Sequence, residues 1–240
     1  MLGATRGMGR ALARLFAERG AELCLLGRNH DELARSAADL RTLGSPLVAV
    51  TACDLEEPAG FVAALDEADR ALGGFDAVVV TAGLFATQAA LEDDAALTQR
   101  LLTVDFANTV LFCEEARRRL LARGGGTLCV FSSVAGERGR KPVVLYGAAK
   151  AGLTHYLEGL DHKFRSAGLR VVCIKPGFVR TGMTDGLPEP PFAGEPEDVA
   201  RRVLVGIDRG EPVVYAPGAW RFVMAAVRSL PRAVMRRVKF

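Results

Sequence analysis

The sequence predicts an α/β protein with a doubly wound parallel sheet. Six short segments are continuously apolar and rich in valine, and a helical pattern separates each from the next. Strands that helices cover on both faces have this unbroken apolar character. The chain has 240 residues, of which 50% are hydrophobic, so it can bury the core of one sizeable domain. In such sheets, ligands bind at the carboxyl ends of the strands.

Strands and helices are predicted in alternation. The predicted strands are Glu22–Gly27, Leu47–Thr51, Asp76–Thr81, Thr127–Ser132, Leu169–Lys175 and Pro212–Tyr215. The predicted helices are Gly9–Arg19, Asp31–Thr42, Ala59–Leu72, Thr98–Ala122, Val144–Ala167 and Glu197–Arg209. The loop 181–195 is rich in Pro and Gly, which predicts either a mobile lid or an irregular surface loop. No apolar run reaches the roughly 18 residues that a membrane span needs.

The first strand of the sheet is largely missing at the N-terminus. A glycine-rich turn normally follows a buried strand, but only Met1 and Leu2 precede the turn that begins at Gly3. Either the start of the sequence is placed too late or upstream residues are lost. We therefore expect the chain as given to be less stable than a version that is extended upstream.

Positive charge is concentrated at the C-terminal end. Residues 218–240 contain Arg221, Arg228, Arg232, Arg236, Arg237 and Lys239, and no acidic residue follows Glu211. Since the whole chain has a net charge of +3, removing these six charges leaves −3 on the rest. This balance argues against nucleic-acid binding by residues 1–217, and it leaves the tail able to meet an anionic surface.

The five cysteines are far apart in the sequence. They are Cys24, Cys53, Cys113, Cys129 and Cys173, and none forms a C-x-x-C pair. This spacing predicts buried thiols in a reducing cytoplasm, with neither a disulfide nor a metal site.

A glycine-rich turn at the start of the first helix predicts a dinucleotide site. Gly3, Gly7 and Gly9 allow a pyrophosphate close to the backbone, and the helix offers free amides at its N-terminus. At the end of the next strand, Arg28 stands where an NAD site usually has an acidic residue. Together with Arg6, it favours the 2′-phosphate of NADP(H) over NAD(H). The alternative is that both arginines are solvated surface residues.

A tyrosine and a lysine lie one helical turn apart. Tyr146 and Lys150 share a helix face, and Ser133 follows a predicted strand at its carboxyl end. A phenol with a pKa of about 10 is a poor acid or base at neutral pH unless a cation lowers that pKa. Lys150 can supply the cation, so Tyr146 is predicted to exchange a proton with a carbonyl or alcohol oxygen that Ser133 orients.

These residues resemble the short-chain dehydrogenase/reductase family over essentially the whole chain. The resemblance implies a single Rossmann-type domain in residues 1–217 and a catalytic set of Ser133, Tyr146 and Lys150. It implies a cofactor site formed by Gly3, Thr5, Arg6, Gly7, Met8, Gly9, Arg28, Asp54, Leu55, Ala82, Gly83, Tyr146, Lys150, Pro176, Gly177, Val179 and Thr181. Thr81 stands where the family usually has Asn.

One position departs from the family in its chemistry. The family's catalytic Asn lies on the long middle helix, and Asp105 occupies that place here. Asn108 falls one helical turn too late to match the motif. Asp105 is the expected equivalent and would order a proton-relay water, but its negative charge would also perturb Lys150.

Part of the second half resembles a narrower group of the family, which reduces a polyprenyl-phosphate-linked 2-keto-pentose for cell-envelope arabinose synthesis. The matching segments are 132–138, 146–152, 175–181 and 215–224. This resemblance implies an NADPH-dependent ketone reductase that works with a flavin oxidase. Two alternatives stay open: a reductase of another hydrophobic ketone, such as an acyl or polyketide carbonyl, and a non-catalytic nucleotide-sensing protein. A homo-oligomer is a family expectation.

Residues 218–240 are predicted to form a basic amphipathic tail. The expected apolar strip consists of Trp220, Phe222, Val223, Ala226, Val227 and Leu230, followed by Val234, Met235, Val238 and Phe240 among basic residues. A segment of this kind can lie in a membrane interface, which would place a cytoplasmic enzyme on the inner face of the membrane. The alternative is a C-terminal helix that packs on the domain or on a dimer partner.

Overall fold

The computed structural model describes residues 1–238, so Lys239 and Phe240 of the predicted tail lie outside the described residues. Every predicted strand is present, and each strand begins and ends within one residue of its predicted bounds. The strands are β1 (Leu23–Gly27), β2 (Val48–Ala52), β3 (Ala77–Val80), β4 (Gly126–Phe131), β5 (Leu169–Pro176) and β6 (Val213–Ala216). The α/β fold class is confirmed.

The strands are all parallel but their pairing is interrupted in the middle of the sheet. β1 pairs with β2, and β3 to β6 pair in sequence order. Among residues 1–238, only Leu2 joins the two parts, through bridges to Leu26 and Val80. The two residues before Gly3 thus contribute a single residue of ladder between β1 and β3.

Helices cover both faces of the sheet. The helices are α1 (Gly7–Glu18), α2 (His30–Thr42), α3 (Phe61–Leu72), α4 (Gln88–Asp93), α5 (Ala95–Leu102), α6 (Asn108–Ala122), α7 (Val144–Phe164), α8 (Pro196–Arg209), α9 (Trp220–Ser229) and α10 (Arg232–Met235). Apolar residues of α3, α6 and α7 form the core on one face, and those of α1, α2 and α8 form the cores on the other. The unbroken apolar strands are explained by this two-sided burial.

The predicted helix Thr98–Ala122 is wrong as a single helix. The chain forms α5, then a π-helical segment over Thr103–Ala107, and then α6. The apolar pattern continues through the interruption, so periodicity alone could not locate it. π-helical insertions are rare and often occur at functional sites, and this one contains Asp105.

A cleft of about 750 Å³ lies below Leu2, at the amino ends of the strands. Its lining includes the apolar side chains of Leu2, Leu26, Leu65, Val78, Val79 and Phe112. The Met1 amino group donates to the Cys24 carbonyl at 2.7 Å. The cleft follows the line that a full strand between β1 and β3 would take.

The predicted apolar strip of the tail needs correction. Trp220, Met224 and Val227 face inward and form a small core with Val134, whereas Phe222 is 76% exposed and Ala226 is exposed. Trp220, Val223 and Val227 of the predicted strip follow the helical spacing i, i+3, i+7 and belong to this core or pack against it, whereas Phe222 and Ala226 fall off that spacing. α9 therefore packs on the domain, and Phe222 remains on the outer surface.

All five cysteines are free and buried. Four lie on or beside strands and Cys113 lies on α6. Burial raises the pKa of Cys53 and of Cys173 to about 11 each.

Among residues 1–238, none of the helices combines the length and the apolar character that a membrane span requires.

Candidate active site

The glycine-rich turn is built so that side chains would obstruct it. Gly3 has φ +93°, and a Cβ there would lie 2.5 Å from the Ala82 amide nitrogen. A Cβ on Gly9 would lie 2.2 Å from the Gly3 carbonyl oxygen. The turn leads into α1, whose N-cap residue Arg6 makes no side-chain cap. The first amides of α1 are thus free for an anion, which fits a pyrophosphate.

Thr81 fixes this turn from the next strand. Its hydroxyl donates to the Gly3 carbonyl at 2.8 Å and lies 3.1 Å from the Leu2 carbonyl. It occupies the position where the family usually has Asn, and it shows what that position does here: it ties the end of β3 to the turn. Ala82 and Gly83 follow directly and line the same edge of the sheet.

The two arginines that predict NADPH lie at the rim of this site. Arg28 pairs with Glu56 at 3.2 Å and its side chain is 61% exposed. Arg6 pairs with Glu32 and its side chain is 81% exposed. Exposed ion pairs of this kind contribute about 0–1 kcal/mol, so a phosphate can displace them at little cost.

The predicted adenine contact follows β2. Asp54 accepts from the Glu56 amide at 2.9 Å, which shapes the turn, and Leu55 is buried. The Asn108 side chain donates to the Leu55 carbonyl at 2.6 Å. Asn108, which does not match the family motif in sequence, therefore holds the loop that carries the predicted adenine contact.

Ser133, Tyr146 and Lys150 come together at the carboxyl end of β4. Lys150 is buried, and its Nζ lies 5.6 Å from the centre of the Tyr146 ring, so the two share a face of α7. The Ser133 hydroxyl accepts from the Ala135 amide at 3.0 Å. The Phe85 ring meets the Tyr146 ring edge to face at 5.2 Å. These contacts hold the phenol in one orientation.

The protonation of this group follows from its burial. Burial raises the pKa of Tyr146, and the charge of Asp105 adds to the rise, while Lys150 and the Ser133 hydroxyl oppose it. Burial lowers the pKa of Lys150, but Asp105 and Tyr146 outweigh that effect and the net pKa is raised. Lys150 is therefore an ammonium ion and Tyr146 a neutral phenol at neutral pH.

Asp105 lies next to Lys150 and has no access to solvent. Its Oδ1 accepts from the Leu84 amide at 2.7 Å and lies 3.7 Å from the Lys150 Nζ. Its Oδ2 is buried and has no hydrogen-bond partner in residues 1–238. Asn108 is not part of this group.

The segment after β5 carries the last group of predicted cofactor-binding residues. Pro176 ends the strand, Val179 is buried, and the Thr181 methyl would lie 3.3 Å from a Cβ on Gly7. The Trp220 ring covers Gly177, where a Cβ would lie 2.0 Å from the indole nitrogen. That nitrogen donates to the Phe192 carbonyl in the loop 181–195 at 3.1 Å. Of the remaining predicted residues, Thr5 and Met8 are half-buried in and after the turn.

Sequence reasoning missed a second buried ion pair beside the site. Glu137, four residues after Ser133, pairs with Lys175 and accepts from the Tyr215 hydroxyl at 3.0 Å. Arg228 of α9 approaches the same carboxylate at 3.3 Å. Lys175 is 38 positions from Glu137, so no local pattern could reveal the pair.

Within residues 1–238, no cluster of His, Cys, Asp and Glu side chains is arranged to hold a metal ion.

Comparison with known proteins places this geometry in a family. Residues 1–191 match the short chain dehydrogenase family. An uncharacterized oxidoreductase of Mycobacterium tuberculosis is 35% identical over 231 residues, which cover 96% of this chain and 92% of that protein. A cis-4-hydroxycyclohexanecarboxylate dehydrogenase of Sinomonas cyclohexanicum is 32% identical over 78% of this chain and 74% of its own length.

A solved structure agrees over the whole chain. A short-chain dehydrogenase from Sphingobium yanoikuyae, in complex with NADPH, has a TM-score of 0.82 and 26% identity, covering 100% of this chain and 95% of that chain. The chain therefore belongs to the short chain dehydrogenase family and is an NAD(P)-dependent oxidoreductase.

Proposed function

We propose that this enzyme reduces a ketone to an alcohol and prefers NADPH as the reductant. The observation that carries the proposal is the meeting of Ser133, Tyr146 and Lys150 at the carboxyl end of β4, with Lys150 Nζ 5.6 Å from the Tyr146 ring centre. This group lies at the same edge of the sheet as the glycine-rich turn. An acid and a dinucleotide cradle are thus combined at one edge of the sheet.

The residues of the chain divide the work of the reaction. NADPH, when bound, would supply the hydride that the carbonyl carbon needs. Tyr146 would give its hydroxyl proton to the carbonyl oxygen, which completes the alcohol. Ser133 orients that oxygen, and the Lys150 ammonium stabilises the phenolate that Tyr146 becomes. Asp105 is proposed to order the water that returns a proton to this group. The glycine-rich turn and the α1 N-terminus would hold the pyrophosphate.

The preference for NADPH is proposed to depend on Arg28 at the rim. Replacing Arg28 by Ala should raise the KM for NADPH roughly ten- to a hundredfold, because a charge-assisted hydrogen bond contributes about 1.5–3 kcal/mol. The KM for NADH should stay within about twofold, since NADH lacks the 2′-phosphate. Steady-state kinetics with both cofactors measure this. R19A is the matched control, because Arg19 is an exposed, paired arginine at the other end of α1. An equal rise in the KM for NADH and for NADPH would contradict the assignment of Arg28 to the 2′-phosphate.

The substrate is proposed to be a polyprenyl-phosphate-linked 2-keto-pentose, the substrate of decaprenylphosphoryl 2-keto-ribose reductases. The sequence resemblance supports this, and so does Arg140 in the segment after Ser133. Its Nε is buried without a hydrogen-bond partner in residues 1–238, and burial lowers the pKa of Arg140. The nearby Arg138 and Lys141 instead donate to the carbonyls of Leu230 and Arg236. Arg140 is thus the cation of this segment that suits a substrate phosphate.

A second substrate class is favoured by a specific relative. The Sinomonas cyclohexanicum protein is named for a cyclic secondary alcohol that has a carboxylate, so a smaller anionic or hydrophobic ketone is the alternative. NADPH oxidation should be followed with a lipid-linked keto-pentose, keto acids and neutral hydrophobic ketones. The lipid-linked proposal requires the first to give the highest kcat/KM, and a higher value for a neutral ketone would reject it.

Peripheral contact with the cytoplasmic face of the membrane is part of the lipid-linked proposal. Arg232, Arg236 and Arg237 are exposed, and within residues 1–238 no acidic side chain pairs with them. Phe222 is exposed on the adjoining helix α9. Cations near anionic lipid contribute about 1 kcal/mol each. Assembly with a second copy, and with a flavin oxidase that supplies the ketone, completes this proposal.

Replacing Arg232, Arg236 and Arg237 together by Gln should release the enzyme from anionic vesicles. The expected loss of affinity is roughly a hundredfold, because three charges contribute about 3 kcal/mol at most. Co-sedimentation with phosphatidylglycerol vesicles measures this. The matched control replaces Arg118, Arg201 and Arg209, which are exposed on α6 and α8. If both triple variants sediment like the unmodified enzyme, the tail does not bind the membrane.

A further inference from the structure

We infer that Asp105 is a positioning residue that keeps Tyr146 in its proton-donating form and so directs the site toward reduction rather than oxidation. The inference rests on the proposed function, because it concerns the proton that Tyr146 gives to a ketone oxygen. It goes beyond that function in giving the site a preferred direction, and in giving Asp105 an electrostatic role besides that of ordering a water.

The geometry makes Asp105 the counterion of Lys150. The Asp105 side chain is 0% exposed and that of Lys150 is 5% exposed, with Oδ1 and Nζ 3.7 Å apart. The carboxylate is closely packed on the side of Gly83, where a Cβ would lie 2.9 Å from Oδ1. The only hydrogen bond to the carboxylate from residues 1–238 comes from the Leu84 amide. Its negative charge is therefore directed at the ammonium.

This pairing opposes the field that would ionise the phenol. An ammonium beside a phenol stabilises the phenolate, and a carboxylate beside the same ammonium reduces that effect. The pKa of Tyr146 follows this pattern, because Asp105 raises it while Lys150 lowers it, both on top of the rise from burial. A neutral side chain at position 105 would leave the Lys150 charge to act on Tyr146 alone.

Other charged groups near the site do not substitute for Asp105. Cys173 on β5 is the further titratable group that acts on Lys150. The helices α5 and α6 pack on the π-helical segment. Their charged residues Arg100 and Glu114 are paired elsewhere, Arg100 with Glu56 and Glu114 with Arg117. Burial raises the pKa of Asp105 as well, while Lys150 and the Leu84 amide oppose that rise and favour the carboxylate.

The consequence is a directional bias. Reduction needs the neutral phenol, which is present at neutral pH and above it. Oxidation of the alcohol needs the phenolate. The phenolate fraction falls about tenfold for each pH unit by which the pKa of Tyr146 rises further above the working pH. A site in which Asp105 pairs with Lys150 therefore stays competent for ketone reduction into alkaline solution. Its kcat for alcohol oxidation is low.

The test is a titration of Tyr146 that needs no turnover. Tyrosinate absorbance is recorded against pH for the wild-type enzyme and D105N, and each curve is corrected by the same protein with Y146F. We expect D105N to lower the Tyr146 midpoint by about one to three on the pH scale. E137Q is the matched control, because it removes the other buried carboxylate of this region, and its Tyr146 midpoint should not move. An unchanged midpoint in folded D105N, which a protonated Asp105 would give, overturns the inference.

Kinetics provide the second measurement. In D105N the pH above which ketone reduction slows should fall together with the Tyr146 midpoint. The kcat of alcohol oxidation at pH 8 should rise by about tenfold or more, in proportion to the larger phenolate fraction. A purely structural role would lower both rates and leave both pH profiles in place, which contradicts the inference. If no ketone is turned over at all, the proposed function fails while the absorbance titration still decides the role of Asp105.

Discussion

Replacing Tyr146 by Phe should lower kcat/KM for ketone reduction by roughly 10²–10⁴-fold, the contribution typical of a positioned general acid. The substituted ring keeps the edge-to-face contact with Phe85, which lies 5.2 Å away, so the site should retain its shape. Only the hydroxyl group, with the proton that it donates, is lost. Steady-state NADPH oxidation measures the rate, and the Kd for NADPH should change little because the glycine-rich turn is untouched.

The matched control is Y156F. Tyr156 lies on the same helix α7, and its hydroxyl donates to Glu114 at 2.8 Å, away from the group of Ser133 and Lys150. Its removal should leave kcat/KM within about twofold, although it can cost about 1 kcal/mol of stability through the lost hydrogen bond. Full activity of Y146F, together with a kcat/KM of Y156F within about twofold of the unmodified enzyme, would reject Tyr146 as the proton donor.

A designed strand placed before Met1 should stabilise the protein strongly. Five apolar, β-branched residues fused upstream would enter the cleft of about 750 Å³ between β1 and β3 and pair with both strand edges. The fusion also replaces the Met1 ammonium, whose pKa is lowered by burial, with an uncharged amide. A net gain of about 3 kcal/mol would raise Tm by roughly 6–12 °C in a domain of this size.

Thermal unfolding by circular dichroism measures this gain. A fusion of five Gly and Ser residues is the control, since it has the same length but buries almost no apolar surface. The two fusions should differ in Tm by most of the predicted rise. Equal melting of the apolar fusion, the polar fusion and the unmodified chain would show that the cleft does not accept a strand.

The strands could be predicted closely because their chemistry is local. β5 was predicted as Leu169–Lys175 and spans Leu169–Pro176, because its apolar run ends abruptly in polar or turn residues. The six-residue α4 was not predicted, since so short a helix has little periodicity. The π-helical segment was not predicted either, because the contacts of its Asp105, with Lys150 and with the Leu84 amide, join it to residues far along the chain.

The candidate site was predictable where its residues lie close in sequence. Tyr146 and Lys150 could be placed on one face from their spacing alone, and their contact follows from helix geometry. The contacts of Asp105 with Leu84 and of Glu137 with Lys175 join distant segments, so no pattern in one sequence reveals them. The tail was misjudged for a different reason: Phe222 is as apolar as Met224, and only the packing of α9 on Val134 decides which of them is buried.

The burial of all five thiols gives the folded enzyme an unreactive background toward maleimide reagents. Thiolates do the alkylation chemistry, and burial raises the pKa of Cys24, Cys53, Cys113, Cys129 and Cys173 alike. A single cysteine introduced on the outer surface would therefore accept a fluorophore or spin label selectively in the native protein. The five native thiols would become reactive only on unfolding, and their alkylation would then report how often the domain opens.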